Sequence, residues 1–205
     1  MAVTDRALCG GADGLVAAVE AAVSGGANAA QLREKDLAPA ELLALARRLR
    51  EVTRGRALLV VNGPLEVAVA AEADGVHLPE GEPLVSRPRQ GFLVGRSVHS
   101  TEAARRAEAG GADYLVAGPV YETGSHRSVQ PAGLVLIEEV ARAVDVPVLA
   151  IGGVTAERAE EVVRAGASGV AAISAVFARG DARVAALALR RALDAAWAAP
   201  GVRRR

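Results

Sequence analysis

Gln31-Leu32-Arg33-Glu34-Lys35 follows a short apolar run and places two cations two residues apart. In an extended strand alternate side chains share a face, so Gln31, Arg33 and Lys35 project to the same side. A guanidinium beside an ammonium invites phosphate or carboxylate, which both bind strongly away from bulk water. The competing reading is a salt-bridged strand end neutralised by Glu34 or Asp36. Gly152-Gly153 closes another apolar run, and Ser174 opens a helical stretch after the last one. Exposed backbone N–H groups at such glycines, with a helix start beside them, make a phosphate cradle, whereas the bland alternative is a tight turn. The long polar connection Gly118–Arg127 carries Glu122, Thr123 and His126, which suit binding or proton transfer, or else an ordinary surface loop. Asn62 can hydrogen-bond a heteroaromatic ring or satisfy a turn. Ser97 can reach a ligand, while His77 and His99 each read equally well as core or site residues.

The elements that must position these groups repeat. Ala-rich helical stretches stop at Gly25-Gly26, Glu72-Ala73-Asp74, Gly110-Gly111 and Gly166, and the apolar runs Ala29–Leu32, Gly75–Leu78, Tyr114–Ala117 and Gly169–Ile173 follow. Ala57–Val61, Phe92–Val94 and Val146–Ile151 are further strand-like runs, and Ala2–Thr4 is a short first one. Helix starts are marked by Ser100, by Thr155 and by Asp36 near Pro39. Leu42, Leu45, Leu49 and Val52 give Pro39–Arg54 one buried stripe. Gly81–Gly91, with Pro83 and Pro88, reads as an irregular connection in place of a helix. Eight such αβ units at about 25 residues each predict an α/β fold, a single (β/α)8 TIM barrel over residues 1–199, followed by a basic C-terminal tail at 200–205. In that fold, function sits at the C-terminal ends of the strands.

Composition narrows the function classes. The 205 residues carry 24 basic and 24 acidic side chains, so no general field draws the chain to nucleic acid or anionic lipid. Aromatic residues are 2%, too few for base-stacking platforms. The single cysteine, Cys9, forms no internal disulfide, and no apolar run approaches a membrane span. Without a secretory leader pattern, the expected compartment is the cytoplasm. Association with further copies of the chain stays open.

The ordered set Gln31–Lys35, Ala73–Leu78, Gly95–Ser100, Ala112-Asp113-Tyr114, Gly118–Thr123 and Ala150–Gly153 resembles the thiamine phosphate synthase and TenI superfamily over nearly the whole chain. The resemblance implies a TIM barrel and a phosphorylated thiazole as ligand, with Gly152, Gly153 and Ser174 holding its phosphate. The synthase branch joins a pyrimidine methyl diphosphate to the thiazole phosphate and uses Mg²⁺. Its pattern has an aspartate after the strand-three asparagine and another after strand four, where this sequence has Gly63 and Glu82. Its Thr-x-Thr-Lys loop reads Thr123-Gly124-Ser125-His126 here. Asn62-Gly63, Arg96–Ser100 and Tyr121-Glu122-Thr123 look closer to TenI, a metal-free thiazole tautomerase. Its catalytic histidine would fall at Pro119, so His126 and Glu122 are the expected proton carriers. Gln31, Arg33, Lys35, Asn62, Ser97 and Thr123 are then expected to bind substrate. The sequence reading therefore favours a tautomerase, an isomerase without metal or cofactor. The alternatives are the synthase with Mg²⁺, where Asp74 and Glu82 would have to recruit the ion, and a non-catalytic binder.

Overall fold

The computed structural model describes residues 1–83, 85–124, 130–178 and 180–202. Eight strands run parallel in one sheet in chain order: β1 (Ala2–Val3), β2 (Ala29–Leu32), β3 (Leu58–Asn62), β4 (Gly75–Leu78), β5 (Leu93–Val98), β6 (Tyr114–Ala117), β7 (Val148–Ile151) and β8 (Gly169–Ala171). The helices are α1 (Ala12–Ser24), α2 (Pro39–Thr53), α3 (Leu65–Ala70), α4 (Thr101–Ala109), α5 (Gly133–Ala143), α6 (Ala159–Arg164), α7 (Ser174–Phe177) and α8 (Ala182–Ala198). Strand order and alternation are those of the expected (β/α)8 barrel. As expected, no helix stands between β4 and β5 among the described residues.

Local chemistry accounts for most boundaries. Pro39 occupies the first turn of α2, where its missing N–H costs nothing, and the Glu41 carboxylate accepts the Ala38 N–H at 3.1 Å. Leu42, Leu45, Ala46 and Leu49 form the buried stripe. Ser100 caps α4 by accepting the Ala103 N–H at 3.1 Å. Two expected caps are corrected. Thr155 makes no side-chain cap bond, and a 3-10 turn, Ala156–Arg158, precedes α6. Asp36 does not cap α2, because its carboxylate is bound by Arg6. Strand β1 is short but sealed: Ala2 and Val3 are buried, the Thr4 N–H donates to the Gln31 carbonyl at 2.9 Å, and the Thr4 hydroxyl accepts the Arg33 N–H at 2.9 Å.

The chain groups into two compact units, the first holding β1 to β4, the start of β5 and α7, the second holding the rest of β5 through β8. Leu15, Leu32, Leu49, Leu59, Val61 and Phe92 form the core of the first, and Val98, Leu115, Ile137, Val140 and Val170 that of the second. In the first unit Arg50, 7% exposed, is paired with Asp74 at 2.7 Å, and the same carboxylate oxygen accepts the Leu59 N–H at 2.7 Å. Asp74 precedes β4, so this pair belongs to the N-terminal side of the strands.

Candidate functional site

In the first unit, β2 ends in the cation pair. Arg6 bridges both neighbouring carboxylates: its guanidinium meets Glu34 at 3.0 Å and Asp36 at 2.6 and 2.5 Å, and its backbone N–H also donates to Glu34. The Asp36 carboxyl is thereby held down to about 2, chiefly by that hydrogen bond. The salt-bridged reading of the strand end is thus excluded. Among the described residues, neither the Arg33 nor the Lys35 side chain has a carboxylate partner. Repulsion from Arg33, and secondly burial, pushes the Lys35 ammonium below its usual range. Gln31 is 3% exposed and its amide nitrogen has no hydrogen-bond acceptor among the described residues. A buried donor left open costs free energy until something accepts from it. Asn62 ends β3, in register with His77 of β4. His77 is buried, with a partner in the fold. Ser174 is exposed at the start of α7, a helix of only four residues, too short to supply the helix dipole that the cradle expectation invoked.

The second unit carries the glycine turn and the strap that follows β6. The Val120 N–H donates to the Ile151 carbonyl at 2.9 Å and the Tyr121 N–H to the Gly152 carbonyl at 3.0 Å. The strap presses so closely that a Cβ on Gly152 would lie 2.6 Å from Pro119 Cβ, and one on Gly153 would lie 2.6 Å from the Glu122 carbonyl oxygen. Both glycines also have positive φ, 96° and 64°. Among the described residues, no protein acceptor takes the N–H of Gly152, Gly153 or Val154. Within the strap Pro119 is buried, Glu122 is exposed and Thr123 half-buried. His126 lies outside the described residues.

Arg96 and His99 organise the connection after β4. Arg96, 5% exposed, donates to the carbonyls of Pro79 (3.1 Å) and Glu82 (2.6 Å). The Glu80 carboxylate takes both the His99 N–H (2.9 Å) and His99 Nδ1 (2.7 Å). These contacts frame a hollow of about 260 Å³ lined by Glu80, Glu82, Arg96, Ser97 and Arg106. Sequence reasoning missed the tie between Arg96 and the connection, because a buried arginine serving carbonyls leaves no spacing signature. It also missed Arg158, Tyr121 and Glu161, which lie together although 40 residues separate the last two.

Most of the side chains that a Mg²⁺ could draw on after β3 and β4 are committed elsewhere. Gly63 offers no oxygen, and a Cβ there would already stand 2.9 Å from Leu42 Cδ2. Asp74 is held by Arg50 and the Leu59 N–H, and Glu80 by His99. Of these positions Glu82 keeps an exposed, uncommitted carboxylate, and no cluster of three or more ligating side chains occurs among the described residues. Mg²⁺ takes one or two carboxylates alongside water and substrate phosphate oxygens, so among these side chains Glu82 is the one left to hold the ion. Asp74, which the synthase alternative would have to recruit for the ion, has its carboxylate committed to a structural pair.

The family model described as thiamine monophosphate synthase matches residues 1–176. The chain is 46% identical over 183 residues to a thiamine-phosphate synthase of Methanoculleus marisnigri, covering 86% of this chain and 87% of the relative. It is 41% identical over 199 residues to one from Anaeromyxobacter dehalogenans, with 95% and 89% covered. The solved thiamine phosphate pyrophosphorylase of Pyrococcus furiosus superposes with a TM-score of 0.86 at 36% identity over 95% of both chains. These findings overturn the tautomerase expectation, which gave Gly63 and the residues around Glu122 more weight than the rest of the chain. The likeness to proteins named as synthases runs instead through the whole scaffold that positions the strand ends. The chain belongs to the thiamine monophosphate synthase family.

Proposed function

We propose that the chain is an enzyme of thiamine biosynthesis, a thiamine-phosphate synthase that joins hydroxymethylpyrimidine diphosphate to thiazole ethyl phosphate. The observation that carries this reading is the β2 end: two cations without carboxylate partners beside a buried, unaccepted amide donor, while Arg6 removes both neighbouring carboxylates. Such a site is preorganised for a polyanion with a polar ring attached. The names of the relatives agree with a transferase of this kind.

In the reaction, the bond from the pyrimidine methylene carbon to the diphosphate oxygen breaks, and diphosphate keeps the electron pair. The thiazole ring nitrogen supplies its lone pair to the same carbon, forming the new C–N bond. Arg33 and Lys35 stabilise the charge that grows on the departing diphosphate, where fixed donors act more strongly than water. In the first unit Gln31 and Asn62 orient the pyrimidine. In the second unit Gly152 and Gly153 offer backbone N–H groups to the thiazole phosphate. Glu82 is the carboxylate left to hold a Mg²⁺, which would supply charge neutralisation on the departing diphosphate; no step is routed through it.

Purified protein incubated with both substrates in buffer containing Mg²⁺ is expected to release thiamine phosphate and diphosphate in equal amounts. Arg33→Ala is expected to lower kcat/KM for the pyrimidine diphosphate about 100-fold, the scale of one lost charge-assisted contact in the transition state. Absence of thiamine phosphate from the wild-type reaction would refute the synthase reading.

A further inference from the structure

Two consecutive glycines are the most mobile backbone a turn can have, so an anion nest built on them needs outside restraint. Three consecutive carbonyls of the turn are held. Ile151 O accepts the Val120 N–H at 2.9 Å, Gly152 O accepts the Tyr121 N–H at 3.0 Å, and Gly153 O accepts Arg158 Nη1 at 2.8 Å. A trans peptide is planar, and its N–H points opposite to its C=O. Fixing these carbonyls therefore directs the N–H groups of Gly152 and Gly153 away from the strap and that of Val154 away from Arg158. Arg158 is itself held: its guanidinium lies over the Tyr121 ring, 4.2 Å from the centroid, and the Tyr121 hydroxyl donates to Glu161 Oε1 at 2.5 Å. The first two restraints come from backbone, and the third depends on one side chain.

We propose that Arg158, seated on Tyr121 with Glu161 behind it, is a positioning residue that sets the Gly153–Val154 peptide and so completes the nest for the thiazole phosphate. This rests on the reading that the turn holds that phosphate, and it adds a residue outside the substrate-contacting set. Arg158 touches no reacting atom, so its removal acts on affinity for one substrate rather than on the chemical step. Lysine retains a donor for Gly153 O but loses the planar stack, so it restores part of the effect.

The test measures binding of thiazole ethyl phosphate and of inorganic diphosphate by calorimetry, together with steady-state kinetics and amide exchange. Arg158→Ala is expected to weaken thiazole phosphate about tenfold, the scale of one hydrogen bond with a stacked cation. Diphosphate affinity and kcat are expected to stay within about twofold on the same reasoning. Arg158→Lys recovers part of the loss, Tyr121→Phe gives a smaller one, and the Tyr121 amide exchanges faster in Arg158→Ala. Unchanged thiazole phosphate affinity in Arg158→Ala overturns the proposal, as does equal weakening of both ligands with a fall in the thermal midpoint. Wild-type protein that binds thiazole phosphate yet makes no thiamine phosphate refutes the synthase reading and leaves the Arg158 role standing.

Discussion

Arg6 decides the chemistry of residues that it does not itself present to a ligand. By occupying Glu34 and Asp36 it leaves Arg33 and Lys35 with uncompensated charge. Arg6→Met frees both carboxylates to pair with those cations, and affinity for inorganic diphosphate is expected to fall about threefold to tenfold, measured by calorimetry. The same variant changes a titration. The Asp36 carboxyl is depressed from 3.8 to about 2 in the folded protein, so its pairing is fully present above the ordinary value and is lost as pH falls towards about 2. In Arg6→Met that carboxyl returns towards its ordinary range, which a side-chain NMR titration reads directly. Unchanged diphosphate affinity would show that the cation pair does not depend on Arg6. None of this partnership was visible in the sequence, where Glu34 and Asp36 looked like the natural partners of Arg33 and Lys35. Twenty-eight residues separate Arg6 from Glu34, and only the pairing of β1 beside β2 brings them together.

At the scale of elements, the strap after β6 and the turn after β7 act as one unit because backbone pairing runs past the ends of both strands. A comparison of two glycines tests this. Gly10 and Gly153 both have positive φ, 73° and 64°, but a Cβ at Gly10 meets nothing within 4 Å, whereas one at Gly153 meets the strap. Gly10→Ala is expected to cost only backbone strain, about 1 kcal/mol in urea unfolding. Gly153→Ala is expected to cost about 2 to 4 kcal/mol and to raise KM for thiazole phosphate, since the strap must move as well. Equal costs would show that the close approach is unimportant. The strand and helix positions were largely legible, because an Ala-rich helix, a glycine stop and a short apolar run recur with one period. The 3-10 turn before α6 and the failure of Thr155 to cap were not. Arg158, in that turn, and Glu161, in α6, both contact Tyr121, a partnership that local propensity does not encode.

For the whole molecule, equal numbers of acidic and basic residues mean that attraction of a polyanionic substrate must come from local charge. At 0.15 M salt, screening acts over about 8 Å, so the Arg33 and Lys35 pair carries most of the field that diphosphate feels on arrival. KM for the pyrimidine diphosphate is expected to rise with ionic strength in the wild type, and the slope to flatten in the Arg33→Ala, Lys35→Ala double variant. An unchanged slope would place the attraction elsewhere. Among the described residues no helix is long and apolar enough to cross a membrane. The sequence alone determined the barrel class, its family and the strand ends that bear polar groups, because hydrophobic period and turn chemistry are local and repeat. It also led to the wrong branch, since single departures at Gly63 and Glu122 stood out while the shared scaffold did not. Tertiary structure alone decided which charges are neutralised, which carbonyls are pinned and which donors stay open, because these depend on contacts between residues far apart in the chain.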